Sequence, residues 1–153
     1  MTPWDLGYGQ FIRFDHEFIG RSALQQMTGE PHRRKVWLRW NDRDMSELIA
    51  ASLFGTGPHA KYMDMPVSNY STNSYDWVLV GGGGRPAGFS MSSGYTVNVG
   101  GWSSLAMIDE SEAIDGREVT IVVGEENGGS AKSTTERHAQ RHVRATLHTR
   151  PLV

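Results

Sequence analysis

The chain of 153 residues contains no cysteine, which excludes disulfides, thiolate metal ligands and a cysteine nucleophile. It also lacks any stretch approaching the roughly 20 apolar residues that a membrane-spanning helix needs. The first ten residues, MTPWDLGYGQ, do not have the basic and then apolar layout of a secretory signal peptide. We therefore expect a cytoplasmic protein without a membrane partner.

A large charge of either sign is lacking too. Fifteen Lys and Arg residues stand against seventeen Asp and Glu residues, which gives a formal net charge of -2. Nucleic acids attract proteins through clustered positive charge, so this balance argues against a nucleic-acid partner. The hydrophobic fraction of 38% and the charged fraction of 21% are typical of one globular domain with its own core.

Short segments of alternating apolar and polar residues are what the sequence has instead. Val36, Leu38 and Trp40 alternate with Lys35, Trp37 and Arg39, and this period of two is typical of a β-strand. Five more segments favour strands, namely YDWVLV, AGFSMSSGY, WSSLAMID, EVTIVVGE and VRATL. In VRATL, Val143, Ala145 and Leu147 are predicted to point inward. The pattern predicts a mainly β domain, a barrel or a sandwich, with a helical preface.

Two helices are predicted. In the first, Ile19, Ala23 and Met27 recur every four residues and give one apolar face. Its start is predicted near Gly20, because glycine is disfavoured inside a helix, and Gly29 is predicted as its C-terminal cap. The second is MSELIAASLF, with Ser46 as a possible N-cap, after a turn formed by residues 41–44.

Four consecutive glycines, Gly81–Gly84, suggest a phosphate-binding loop at first sight. A Walker loop needs Gly-Lys-Ser/Thr and a following helix, whereas Arg85 and a predicted strand follow here. Two strands around a glycine turn indicate a β-hairpin instead.

A metal site is not predicted. His138 and His142 have the four-residue spacing of a helical zinc site. The surrounding alternation predicts a strand, which would place both imidazoles on its exposed face.

A basic cluster opens the first predicted strand, with Arg33, Arg34 and Lys35 followed by Arg39. Such a cluster is suited to binding the carboxylates of an anionic ligand tail. The alternative interpretation is a solvated strand end without a ligand. The aromatic residues of the first fourteen positions have two interpretations as well, as core side chains or as a stacking surface for a flat ring.

Several segments together resemble one family, the glycine-cleavage T-proteins (aminomethyltransferases). The most specific is TPWDLGYGQFIRFDHEFIGRSAL, whose Phe-Ile-Gly-Arg resembles a helix start of that family. RRKVWLRW is similar to the strand that opens the family's C-terminal barrel, and AGFSMSSGYTVNVGGWSSLAMID and AIDGREVTIVV resemble later barrel segments. KYMDMP, YDWVLV, GFSMSSGY, GEENGG and VRATL look like the tetrahydrofolate-dependent aromatic O-demethylases within this family.

The resemblance implies a fold and a division of the chain. Residues 1–30 would be the tail of a folate-binding middle domain. Residues 31–153 would form a six-stranded, antiparallel, jelly-roll-like β-barrel. Members of the family are more than twice this length, so the resemblance implies an N-terminal aminomethyltransferase-type domain or chain as partner. The catalytic residues are expected in that N-terminal half, and this chain is not expected to be active alone.

The resemblance also implies tetrahydrofolate as the cofactor and a small-molecule methyl donor as the substrate. Arg34 and Lys35 match the position where the family has a basic residue near the glutamate tail of folate. Gln10 stands where T-proteins have a tryptophan, Tyr8 lies beside it, and Tyr95 lies on a folate-facing strand. The alternative function is a non-catalytic binding or interaction module that reuses the barrel.

Overall fold

Six antiparallel strands close into a barrel. The computed structural model describes residues 2–63, 75–81, 84–131 and 133–152. The strands are β1 Arg33–Trp40, β2 Asp76–Val80, β3 Arg85–Thr96, β4 Gly101–Asp109, β5 Glu118–Val123 and β6 Arg141–His148. Their order around the barrel is β1-β4-β3-β2-β5-β6. The predicted mainly β fold with a six-stranded antiparallel barrel is therefore confirmed.

Alternating side chains of every strand fill the barrel. Val36 and Leu38 of β1 are fully buried, and Trp40 is 1% exposed, as their period of two predicts. Val143, Ala145 and Leu147 of β6 also point inward and are buried. Trp40 donates from Nε1 to Ser104 Oγ at 2.9 Å, and Ser104 Oγ lies 2.8 Å from Ser90 Oγ. This short chain of hydrogen bonds satisfies the indole N–H inside an otherwise apolar core.

The sheet is tightest where β3 meets β4. Gly88 pairs with Ile108, and a Cβ on Gly88 would lie only 1.9 Å from the carbonyl oxygen of Met107. Further along β3 the register shifts between Met91 and Gly94, where Ser92 has a φ of 52°. The extra residue makes a β-bulge, which turns the second half of β3.

The second helix, α2, spans Asp42–Leu53 and corrects the predicted turn at residues 41–44. Asn41 is the N-cap, because its Oδ1 accepts hydrogen bonds from the backbone N–H groups of Arg43 and Asp44, both at 3.1 Å. Ser46 was predicted as the cap, but it lies inside the helix. Its hydroxyl donates to the carbonyl oxygen of Asp42.

The first helix, α1, spans Arg21–Met27 and begins directly after Gly20, as predicted. Gly29 is not its cap, since Thr28 holds that position and Gly29 has no positive φ. The apolar face of α1 is not covered. Ile19 is fully exposed and no residue of α1 is buried.

The glycine turn lies between β2 and β3, which pair as a hairpin. Gly81 and Gly84 have φ angles of 69° and 62°, and Gly84 N–H donates to the Gly81 carbonyl at 3.3 Å. The two glycines between them lie outside the described residues. Residues 64–74 also lie outside the described residues; the sequence AKYMDMP predicts an extended segment at 60–66, and NYSTNS predicts a loop at 69–74. Among the described helices, none has the length and apolar character needed to cross a membrane.

Candidate functional site

The basic start of β1 presents two cations that carry no ion pair within the described part of the chain. Arg33 lies 3.5 Å from Asp109 and its guanidinium sits over the ring of Phe89, 5.3 Å from the centroid. Arg34 and Lys35 follow it, are exposed, and have no acidic partner among the described residues. Because successive strand residues point to opposite faces, Arg34 falls in the inward register at the barrel rim and Lys35 in the outward one.

The N-terminal segment, residues 2–32, comes against the same end of β1. The ring of Trp4 stacks on that of His32 with centroids 4.3 Å apart. Gly7 N–H donates to the Trp4 carbonyl at 2.9 Å, which closes a turn, and Gly7 has a φ of 80°. A Cβ on Gly7 would lie 3.4 Å from Lys35 Cε. The turn therefore lies directly on the lysine side chain.

Two predicted site residues follow that turn immediately. Tyr8 is 56% exposed and its ring lies 6.4 Å from the ring of Phe11. Gln10 is exposed within the 3₁₀ turn Gly9–Phe11. The chain path thus brings Tyr8 and Gln10 to the same end of the barrel as Arg34 and Lys35.

Tyr95 lies at the opposite end. Arg34 pairs with Ile108 on β4, whereas Tyr95 pairs with Trp102 on the same strand. Six residues of β4 separate these partners, which corresponds to about 20 Å at the rise of an extended strand. Tyr95 is 57% exposed and follows the bulge at Ser92. The five predicted residues therefore fall into two places, four at one end and one at the other.

A buried charged cluster at the β2–β5 side was missed by sequence reasoning. Asp76 is 5% exposed, and burial raises the pKa of its carboxyl group, although Gly124 N–H donates to its Oδ1 at 3.2 Å. Lys61 Nζ lies 2.8 Å from Glu125 Oε1. Asp76 is in phase with Val78 and Val80, so the alternation of β2 was the signal that places this carboxylate inside.

His138 belongs to this cluster, and its predicted place on an exposed face is wrong. Its side chain has no exposed surface. Nε2 accepts from Glu125 N–H at 2.8 Å and Nδ1 lies 2.8 Å from the Glu136 carbonyl, which assigns the proton to Nδ1. The imidazole precedes β6 rather than lying in it and is enclosed by the glycine-rich loop 124–129, where a Cβ on Gly124 would come within 2.8 Å of its ring. The described residues hold no group of His, Asp and Glu suited to a metal ion.

A polar cleft of about 280 Å³ lies between β1, β6 and the start of α2. Its two arginines are already engaged. Arg144 forms a two-point ion pair with Asp44, through Nε–Oδ2 at 2.9 Å and Nη2–Oδ1 at 2.7 Å. Arg39 lies 2.8 Å from Asp42. The hydrogen bond from Arg144 holds the pKa of Asp44 at about 2. The cleft is thus a structural junction between strand and helix rather than an anion site.

Chemically, the β1 end is better suited to an anionic ligand than the cleft is. It offers two cations without an acidic partner among the described residues, an exposed tyrosine ring and a glycine turn, which together suit a flat ligand with a carboxylate tail.

No family model matches the chain, and the relatives that comparisons with known proteins find include two enzymes. The chain is 44% identical over 147 residues to a syringate O-demethylase from a Sphingobium species, across 96% of this chain and 31% of the relative. It is 32% identical over 133 residues to a sesamin methylene transferase from a Sinomonas species, across 81% of this chain and 29% of the relative. The chain thus spans about a third of the length of these curated relatives.

Proposed function

We propose that the chain is the folate-side part of a tetrahydrofolate-dependent one-carbon transferase of the O-demethylase type. The similarity to a syringate O-demethylase along 96% of the chain supports the reaction class. The observation that carries the proposal is the start of β1, where Arg34 and Lys35 have no acidic partner among the described residues and Lys35 lies beneath the turn that precedes Tyr8. Within this proposal, residues 1–30 are the tail of a middle domain and residues 31–153 are the barrel domain.

The residues present fit the cofactor at its tail. The glutamate end of folate carries carboxylates, and Arg34 and Lys35 supply two cations on adjacent positions of one strand. Tyr8 follows the turn that lies on Lys35, and its exposed ring is available for stacking. Tetrahydrofolate, when bound, supplies the N5 amine that accepts the one-carbon unit. The role of this chain is to hold the tail so that the reacting end is presented to the partner region.

The remaining chemistry falls to the partner. In O-demethylation the bond from the methyl carbon to the ether oxygen breaks, the bond to the folate nitrogen forms, and the phenolate that leaves takes up a proton. We assign the methyl donor's pocket and the proton donor to an N-terminal aminomethyltransferase-type region. The chain alone is expected to bind folate weakly and to have no activity.

Arg34→Ala and Lys35→Ala test the site. Each removes a charge-assisted contact to a carboxylate, so we expect tetrahydrofolate to bind about 10–100-fold more weakly, equivalent to about 1–3 kcal/mol. Calorimetric titration is done with the chain together with the part of the syringate O-demethylase that lies outside the match. Arg137→Ala removes an exposed cation elsewhere and is the matched control.

Two outcomes contradict the proposal. One is the absence of tetrahydrofolate binding even in the reconstituted pair. The other is equal weakening by Arg137→Ala, which would show a general charge effect. The alternative function, a non-catalytic interaction module, predicts a pair that assembles normally, binds no folate and is indifferent to both alanine variants.

A further inference from the structure

A row of outward-facing side chains crosses four neighbouring strands of the barrel. Lys35 lies opposite Met107, Met107 opposite Phe89, and Phe89 opposite Trp77. Side chains directly opposite each other on neighbouring strands share one face of the sheet. The face is the outer one, because the inward positions of these strands are the buried core residues between them. We call this row, together with Tyr75, the aromatic strip.

The exposed apolar surface of the strip lies at its β2 end, because Met107 is only 2% exposed and Phe89 is half-buried. Trp77 is 55% and Tyr75 62% exposed, and the ring of Tyr75 meets that of Phe89 edge-on at 5.8 Å. The guanidinium of Arg33 covers only part of Phe89. Clustered Trp, Tyr and Phe side chains with an arginine beside them have the composition of the central part of a protein–protein interface. Isolated exposed aromatics would need no explanation, but a contiguous strip does.

The strip continues into the N-terminal segment. Its first member, Lys35, lies under the turn at Gly7, and the residues around that turn expose further apolar side chains. Leu6 is 36%, Tyr8 56% and Phe11 68% exposed. No described residue between positions 2 and 32 is buried. The exposed aromatics of the strip and the apolar side chains around the turn are thus two exposed patches, joined across the sheet by the row from Phe89 through Met107 to Lys35.

The occupant is indicated by the length of the relatives. The match covers 96% of this chain but 31% of the syringate O-demethylase, so about two thirds of that relative has no counterpart here. We propose that the aromatic strip and the exposed face of the N-terminal segment dock a polypeptide corresponding to that remainder. This deepens the proposed function, on which the choice of partner rests. It also sets Arg34 and Lys35 at the border of the interface, where a ligand would be held between the two parts.

Co-expression tests the docking surface without folate. The tagged chain is produced with the remainder of the syringate O-demethylase, and the dissociation constant of the purified pair is measured by calorimetry. Trp77→Glu places a charge in the middle of the strip, and we expect it to weaken association about tenfold or more. Phe54→Glu is the matched control, because Phe54 is 71% exposed at the end of α2, outside the strip. Thermal unfolding of each variant alone shows that it is folded.

Hydroxyl-radical labelling gives a second measurement that needs no variant. Trp77 and Tyr75 are expected to lose reactivity in the pair, while Phe54 keeps it. Three results overturn the inference: no co-purification of the two polypeptides, association that Trp77→Glu weakens no more than Phe54→Glu, or protection of Trp77 by a second copy of this chain alone.

The two proposals fail separately. If the pair assembles through Trp77 but binds no tetrahydrofolate, the docking surface stands and the proposed function is refuted. If the pair binds tetrahydrofolate and Trp77→Glu weakens its association no more than Phe54→Glu does, the proposed function stands and the docking surface is refuted.

Discussion

The barrel and the N-terminal segment use hydrophobic side chains in opposite ways. Inside the barrel, Val36, Ile108 and Leu147 have no exposed surface. In the segment, residues 2–32, no described residue is buried, although it is rich in large apolar side chains: Trp4, Leu6, Tyr8, Phe11, Phe14, Phe18, Ile19, Leu24 and Met27. The barrel has a core of its own, whereas the apolar side chains of the segment are half-buried or exposed.

This difference shows where the stability of the isolated chain resides. Helix α1 has seven residues, fewer than an isolated helix needs in water. The segment meets the barrel where the turn at Gly7 lies on Lys35, and Glu110 N–H donates to the His32 carbonyl at the end of the segment, at 3.0 Å. Closure of the sheet, in contrast, leaves the barrel no free strand edge. Substitutions in the two regions should therefore have very different effects on unfolding.

The largest contrast is expected between Trp40→Ala and Phe11→Ala. Trp40 fills the barrel end and donates to Ser104, so its truncation leaves a cavity and should cost about 3–5 kcal/mol of unfolding free energy. Phe11 is 68% exposed, and its truncation should cost less than about 0.5 kcal/mol. Urea unfolding of the isolated chain measures both. A loss of more than about 2 kcal/mol in Phe11→Ala would mean that the segment belongs to the folded core.

Alternation in the sequence was sufficient to predict the six strands and the inward residues of β1 and β6. Alternation is informative because every second side chain of a strand points to the same face, so the buried positions of a strand recur every two residues. The start of α2 was not predicted, because an Asn-Asp-Arg-Asp sequence suits a turn as well as an N-cap. The helix is favoured over a turn because it buries Met45 and Leu48, and this packing is not visible in the sequence of residues 41–44.

The candidate site was predictable in its residue types and less so in its geometry. The basic start of β1 is visible in the sequence, but its lack of ion pairs depends on where Asp109 and the other carboxylates lie. His138 is buried because the glycine-rich loop 124–129 encloses it. That loop lies about ten residues earlier in the sequence, so the residues next to His138 do not predict its burial. The distance between Tyr95 and Lys35 follows from strand register, which pairing across the barrel determines. Whether Arg34, Lys35, Tyr8, Gln10 or Tyr95 binds folate remains a prediction.

A smaller contrast is expected between two glycines. Gly88→Ala places a methyl group 1.9 Å from the Met107 carbonyl oxygen, which is backbone and cannot move aside without disturbing the β3–β4 pair. We expect a loss of about 1–3 kcal/mol. Gly29 has open space around it and no positive φ, so Gly29→Ala should be neutral or slightly stabilising. Thermal unfolding of both variants checks this, and a neutral Gly88→Ala would contradict the close approach of the strands.

The smallest contrast concerns pH. Arg144 holds the pKa of Asp44 at about 2, against an ordinary value of 3.8. A carboxyl group whose pKa is lower in the folded than in the unfolded state stabilises the fold while it is ionised. This stabilisation is complete when the pH is above the unfolded-state pKa of 3.8, and it is lost as the pH falls from about 4 towards 2. Asp44→Asn should therefore cost up to about 1 kcal/mol at pH 6, since half of the Arg144 side chain is exposed. The difference from the parent chain should vanish near pH 2.

Asp15 is the matched carboxylate of the N-terminal segment. A hydrogen bond to His16 lowers its pKa too, but its side chain is 78% exposed and His16 is also largely in water. Asp15→Asn should leave the unfolding free energy unchanged at every pH, because a pair so open to solvent is fully screened. Urea unfolding at pH 6, 4, 3 and 2 compares the two variants. If the deficit of Asp44→Asn persists unchanged at pH 2, the helix-to-barrel ion pair is not its cause; if Asp15→Asn shows the same pH-dependent deficit, the segment is as firmly folded as the barrel.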